Sequence, residues 1–186
     1  MTRGYRQSLF PLTHMVILLL VILFGCGCDP PPQLDVSTFG MRRNFQDNRA
    51  AFDEVVRLAS KEKGRFYLRV DAIREGKPPN LGSYSDRDAS FVAQMAKMKA
   101  WDLQKVCARG DEQEWKGYLR LTVYATGLSV SGSEKAYCYY PPDSPFAPER
   151  DIVGDLDKAR QGRQGEGSGL VYVELEDGWY AAYTWN

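Results

Sequence analysis

The chain predicts an α+β domain in which two helices pack on an antiparallel sheet of four to five strands. Three observations carry this expectation. Two stretches of the first half place apolar residues at helical spacing, the second half alternates apolar with polar residues, and an Asp-Gly pair joins its last two strand-like runs. Helices segregated from strands favour α+β over a parallel α/β arrangement.

The first helix is expected from Arg43 to Lys63, with Phe45, Phe52, Val55, Val56 and Ala59 on one stripe and Gly64 as the stop. Arg65 to Ile73 then alternates, Phe66, Leu68 and Val70 against Arg65, Tyr67, Arg69 and Asp71, which reads as a half-buried strand. After a loop from Gly76 to Ser85, Ser85 followed by Asp88 marks a helix start of the capping type. That second helix carries Phe91, Val92, Met95 and Met98 inward and ends near Gln104, before a short strand holding Val106 and Cys107.

Strands follow at Tyr118–Tyr124, with Leu119, Leu121 and Val123 on one side, and at Lys135–Tyr140, with a turn between Gly127 and Gly132. Leu170–Leu175 and Trp179–Trp185 flank Glu176-Asp177-Gly178 as a hairpin. The long connection from Pro141 to Gly169 is tacked to the core by Ile152, Val153 and Leu156.

Ahead of this domain, Arg3 and Arg6 precede an apolar run from Met15 to Phe24 that stops at Gly25-Cys26. A positive start, a short apolar stretch and a small residue before the cut describe an export signal. The run is half the ~20 apolar residues that a membrane-crossing helix needs. Leu23-Phe24-Gly25-Cys26 resembles the lipobox of bacterial lipoproteins. The resemblance implies a signal peptide over 1–25 and a Cys26 that takes a diacylglyceryl group and becomes the acylated N-terminus. Cys28 is the rival acceptor, but Gly25 would then stand where leucine belongs. In the enterobacterial members an aspartate after the lipidated cysteine retains the protein in the inner membrane. Gly27 after Cys26 therefore implies the outer membrane, facing the periplasm, with a soluble periplasmic protein as the alternative. Residues 26–42, including Pro30-Pro31-Pro32, read as a flexible tether with a stiff proline segment, and 43–186 as a single globular domain.

Removing 25 residues from 186 leaves 161, enough for one domain with a real core. Loss of Arg3 and Arg6 takes the 24 basic residues to 22 against 24 acidic, a net of −2, which gives no electrostatic reason to expect nucleic-acid binding. Export favours disulfides. With Cys26 lipidated and Cys28 in the tether, Cys107–Cys138 is the expected bridge, worth roughly 3–4 kcal/mol in the chain-entropy model. Two buried thiols are the alternative.

The one histidine, His14, leaves with the signal, which removes histidine-dependent nucleophile activation and histidine metal sites from the mature chain. Ser60-Lys61-Glu62-Lys63 matches the S-x-x-K of penicillin-recognising enzymes, but Ser85-Asp86 is followed by Arg87 and no K-T-G occurs. Asp151, Asp155 and Asp157 do not have EF-hand spacing. No catalytic residue, metal or cofactor is therefore expected. Glu174, Glu176 and Asp177 keep open a carboxylate-dependent glycan hydrolase as the alternative.

Aromatic residues crowd the last strands, where they serve either as core or as interface anchors. Tyr137, Tyr139, Tyr180 and Thr184 are the expected partner-facing surface. The functional expectation is a lipid-anchored, non-enzymatic envelope protein that binds a protein partner or an envelope polymer.

Overall fold

The structure, a computed structural model, describes residues 35–107, 117–128, 131–149, 151–162 and 167–186. The signal peptide, Cys26 and the proline segment lie outside the described residues. Helices α1 (Thr38–Asp47) and α2 (Arg49–Lys61) lead to strand β1 (Phe66–Arg69), the short helix α3 (Asp71–Arg74) and helix α4 (Asp86–Met98). Strands β2 (Asp102–Val106), β3 (Tyr118–Leu128) and β4 (Ser131–Tyr139) follow, then helix α5 (Leu156–Gly162) and the hairpin of β5 (Gly169–Glu174) and β6 (Trp179–Trp185).

The fold class is α+β. Among the described residues the sheet has six strands, in the order β1-β2-β3-β4-β6-β5 and each antiparallel to its neighbours, where four to five were expected. β2 is a full strand because Lys105 occupies a core position in it. That side chain is 2 % exposed and donates to the carbonyls of Ala59 (2.8 Å) and Glu62 (2.5 Å) at the C-terminal end of α2, where a cation is favoured.

The expected first helix is two. Asn48 leaves helical geometry (φ −117°, ψ 21°) between α1 and α2, and its amide side chain donates to the Asn44 carbonyl and side chain. α1 also begins inside the expected tether. Ser37 caps it by accepting from the Gly40 amide at 3.0 Å, and Gly40 leaves room for Asp35 to fold back on the first turn. α4 starts where expected, with the Ser85 hydroxyl accepting from the Asp88 amide at 3.1 Å.

The helices supply Met41, Phe45, Phe52, Val55, Phe91, Val92, Met95 and Met98 to one core with Leu103, Leu119, Leu121, Val171, Val173 and Ala181 of the sheet. At its centre Phe52 meets Tyr137 and Trp179 edge to face, with ring centroids 4.8 and 4.9 Å apart. The expected Cys107–Cys138 bridge is not formed, and both side chains are buried thiols. Cys107 follows β2 directly while Cys138 lies on β4, paired with Arg120, so β3 stands between them. Two strand spacings are about 9–10 Å, beyond the roughly 7 Å that a disulfide spans between Cα atoms.

Candidate functional site

A strand shows alternate side chains to opposite faces, so the register assigns each residue to one face. One row crosses the sheet as Tyr67, Gln104, Arg120, Cys138, Tyr180 and Glu174; the next as Arg69, Asp102, Thr122, Ala136, Ala182 and Tyr172. These rows form the face opposite the main core, and no helical residue among those described joins the second apolar cluster that forms there.

That cluster gathers Cys138, Tyr140 and Ala182 with the half-buried Tyr118, Leu170, Tyr172 and Tyr180. Small residues on the central strands make a floor, and the tyrosines wall it. Tyr140 sits 5.6 Å from Tyr180 and 6.3 Å from Tyr172, steeply inclined to both, and its hydroxyl donates to that of Tyr172 at 3.1 Å. Phe146, exposed on the loop after β4, packs edge to face on Tyr118 at 5.7 Å. The loop is pinned by Ser144, whose hydroxyl donates to the Gly117 carbonyl at 2.7 Å.

Beside the cluster is a polar centre. Arg120 Nε donates to Glu134 at 3.0 Å and Nη2 to Thr184 Oγ1 at 3.1 Å, while Thr122 Oγ1 donates to the same Glu134 oxygen at 2.5 Å. Further out, Tyr67 donates to Asp102 at 2.9 Å, and Asp102 lies above the usual carboxylate range because burial outweighs that hydrogen bond. Burial also raises Tyr140, Tyr172 and Tyr180, so these phenols stay protonated donors near neutral pH, and it pushes the Cys138 thiol up to about 11. A protonated, fully enclosed thiol is a poor nucleophile. The face offers neutral hydroxyls, aromatic edges and two paired guanidinium groups, Arg120 with Glu134 and Arg69 with Asp71.

The four residues expected to form one surface do not share it. Tyr180 and Thr184 lie on this face; Tyr137 and Tyr139 project to the helix side. Tyr137 is fully buried, accepting from Asn44 Nδ2 and donating to the Met41 carbonyl, both at 3.0 Å, and half-buried Tyr139 packs on Trp179. Sequence reasoning passed over Arg120, Glu134 and Phe146 as site residues. The signal for the first two was present in the paired alternation of β3 and β4; that for Phe146, a lone aromatic in a proline-rich loop, was not.

The three carboxylates of the hydrolase alternative do not form one group. Glu176 and Asp177 both pair with Arg49 of α2, at 3.3 and 2.6 Å, while Glu174 is exposed on the outer strand β5. Asp155 and Asp157 are engaged with Thr38 at the start of α1. Comparison with protein-family models, with curated proteins and with solved structures finds no match for this chain.

Proposed function

We propose that this chain is a lipid-anchored protein of the bacterial envelope, held by Cys26 at the outer membrane and facing the periplasm, whose folded domain binds a partner without covalent chemistry. The observation that carries the binding reading is the face of the sheet on which no helix among the described residues packs, where Tyr118, Tyr140, Tyr172, Tyr180 and Phe146 gather beside the Arg120–Glu134 pair. Tyrosine and arginine are the residue types that anchor protein interfaces.

Between a protein partner and an envelope polymer, the ring geometry favours a protein. Sugars stack on flat, open aromatic faces, whereas Tyr140, Tyr172 and Tyr180 spend theirs on one another at interplanar angles of 73–77°. Glu176 and Asp177 are both engaged by the Arg49 guanidinium and Glu174 stands apart from them, which weighs against the hydrolase alternative, because hydrolysis needs two carboxyl groups free to face each other across one bond.

Site-specific photo-crosslinking in intact envelopes tests the proposal. A photoreactive side chain at Phe146 or Tyr180 is expected to give one saturable adduct, absent with the same group at exposed Lys97 on α4 and lost on Tyr172→Ala. Equal labelling from all three positions, or none, overturns it. The mass of the N-terminal peptide reports the anchor separately, and an unmodified Cys26 removes it.

A further inference from the structure

α1 has two stripes. Met41, Asn44 and Phe45 face the core, while Phe39, Arg42, Arg43 and Gln46, at the i, i+3, i+4, i+7 spacing of one helical face, are all exposed. Phe39 is 73 % exposed, more than any other large apolar side chain among the described residues. It is held outward by its neighbours. Thr38 is buried, its amide donating to Asp157 at 2.7 Å and its hydroxyl accepting from the Leu156 amide at 2.8 Å, and Gly40 is closed over by Asp35. The ring cannot turn in without breaking the cap of α1 and the clamp to α5.

The apolar face of α1 is spent on the core, but an exposed ring can sit at the acyl boundary of a lipid surface while guanidinium groups reach its phosphates, so Phe39 with Arg42 and Arg43 one turn on suits an anionic bilayer. Arg43 is only loosely engaged, 3.6 Å from Asp47 with both side chains more than 60 % exposed. α1 is also the first described element after the anchor. Phe39 lies thirteen residues beyond Cys26, so the fully extended chain keeps this stripe within about 45 Å of the lipidated cysteine. A stripe of four side chains is small against the roughly 800 Å² per partner of a stable protein interface, whereas a tethered domain needs little area to settle on a membrane.

We propose that the Phe39–Arg42–Arg43 stripe docks on an anionic phospholipid surface and sets the orientation of the domain above it. The inference rests on the anchoring of Cys26. It leaves the tyrosine face, on the opposite side of the sheet from α1, turned away from the bilayer.

The full chain, purified from envelopes and reconstituted into vesicles with brominated acyl chains, provides the test. Phe39→Trp puts an indole on the exposed stripe without touching the core. In vesicles of phosphatidylcholine mixed with phosphatidylglycerol, its fluorescence is expected to be quenched beyond the wild-type baseline. The excess should vanish in pure phosphatidylcholine and when Arg42→Glu and Arg43→Glu are added. No excess in anionic vesicles overturns the proposal, as does quenching indifferent to both charges. Protection of the Phe39→Trp indole that grows with protein concentration in lipid-free detergent also overturns it, in favour of contact between copies. The N-terminal peptide mass, read on the same samples, fixes the state of Cys26 independently: quenching with an unmodified Cys26 retains the stripe and removes the anchor.

Discussion

Lys135 on β4 and Asp157 on α5 meet beneath the first turn of α1, Nζ to Oδ1 2.6 Å, with the lysine side chain 3 % exposed. The same ammonium donates to the Val36 carbonyl at 2.5 Å, and the other oxygen of Asp157 accepts from the Thr38 amide. Sheet, C-terminal helix and the entry of the chain into the domain are thus closed by one ion pair. Asp157→Asn leaves a buried cation without its counter-charge, and removing one partner of such a pair costs about 2–3 kcal/mol for a carboxylate that is partly exposed. Urea unfolding at neutral pH measures it.

The pair also sets a pH dependence. Burial works to raise Asp157, but Lys135 and Thr38 outweigh it and hold the carboxyl below its ordinary value. A carboxyl lowered on folding contributes stability that is full above its unfolded value, about 3.9, and is lost as pH falls through the folded value. The wild-type chain is therefore expected to lose more stability than Asp157→Asn on acidification from pH ~5 to ~2, the two curves converging at the acid end. Parallel curves would show that Asp157 titrates normally.

Tyr137 separates core from surface among the tyrosines. Tyr137→Phe removes a hydroxyl that closes a buried chain from Asn44 to the Met41 carbonyl, and leaves both short of a partner. A loss of about 1–2 kcal/mol is expected. Tyr180→Phe, on the half-buried opposite face, should stay within about 0.5 kcal/mol. Denaturant midpoints of the two variants give the comparison directly.

The parts of the fold readable from sequence were those specified by local chemistry. β6 runs from Trp179 to Trp185 after the Asp177-Gly178 turn that marks its start, Ser85 caps α4, and Leu119 and Leu121 face the core as the pattern of β3 requires. What escaped was decided at long range. Lys105 and Lys135 sit at core positions because carbonyls and a carboxylate from distant elements neutralise them, and a lysine inside a strand disguises its buried face. The start of α1 fell inside the expected tether because its first turn is secured by groups outside the helix, Asp157 accepting from the Thr38 amide and Asp35 closing over Gly40. The face of β4 that carries the site was not legible either, since Tyr137, Tyr139 and Tyr140 put aromatic residues on both sides.

The separation of Cys107 from Cys138 by β3 gives a chemical prediction. Alkylation of the denatured chain without reductant should recover the Cys107 and Cys138 peptides separately modified, and reductant should leave the thermal midpoint unchanged. A bridge between them would instead add roughly 3–4 kcal/mol that reductant removes. With its thiol pushed up to about 11 by burial, Cys138 should also resist alkylation at pH ~8 until the domain unfolds.

Gly178 closes the β5–β6 hairpin under two constraints that can be measured apart. Asp177 (φ 49°) and Gly178 (φ 80°) both have the left-handed conformation of a type I′ turn, with the Trp179 amide donating to the Glu176 carbonyl at 2.9 Å. The Gly178 carbonyl accepts from the Tyr140 amide at 2.9 Å, so a Cβ added at Gly178 would lie 2.5 Å from the Tyr140 carbonyl oxygen. Gly64 shares the positive φ (71°) but has open space where its Cβ would stand. Gly64→Ala therefore reports the conformational cost alone, about 1 kcal/mol. Gly178→Ala adds displacement of the loop that carries Tyr140 and should cost about 2 kcal/mol or more. Equal losses in urea unfolding would mean that the contact at Tyr140 relaxes freely. A larger loss for Gly178→Ala, accompanied by weaker crosslinking from Phe146, would tie the hairpin to the tyrosine face through the backbone pairing of Tyr140 and Gly178.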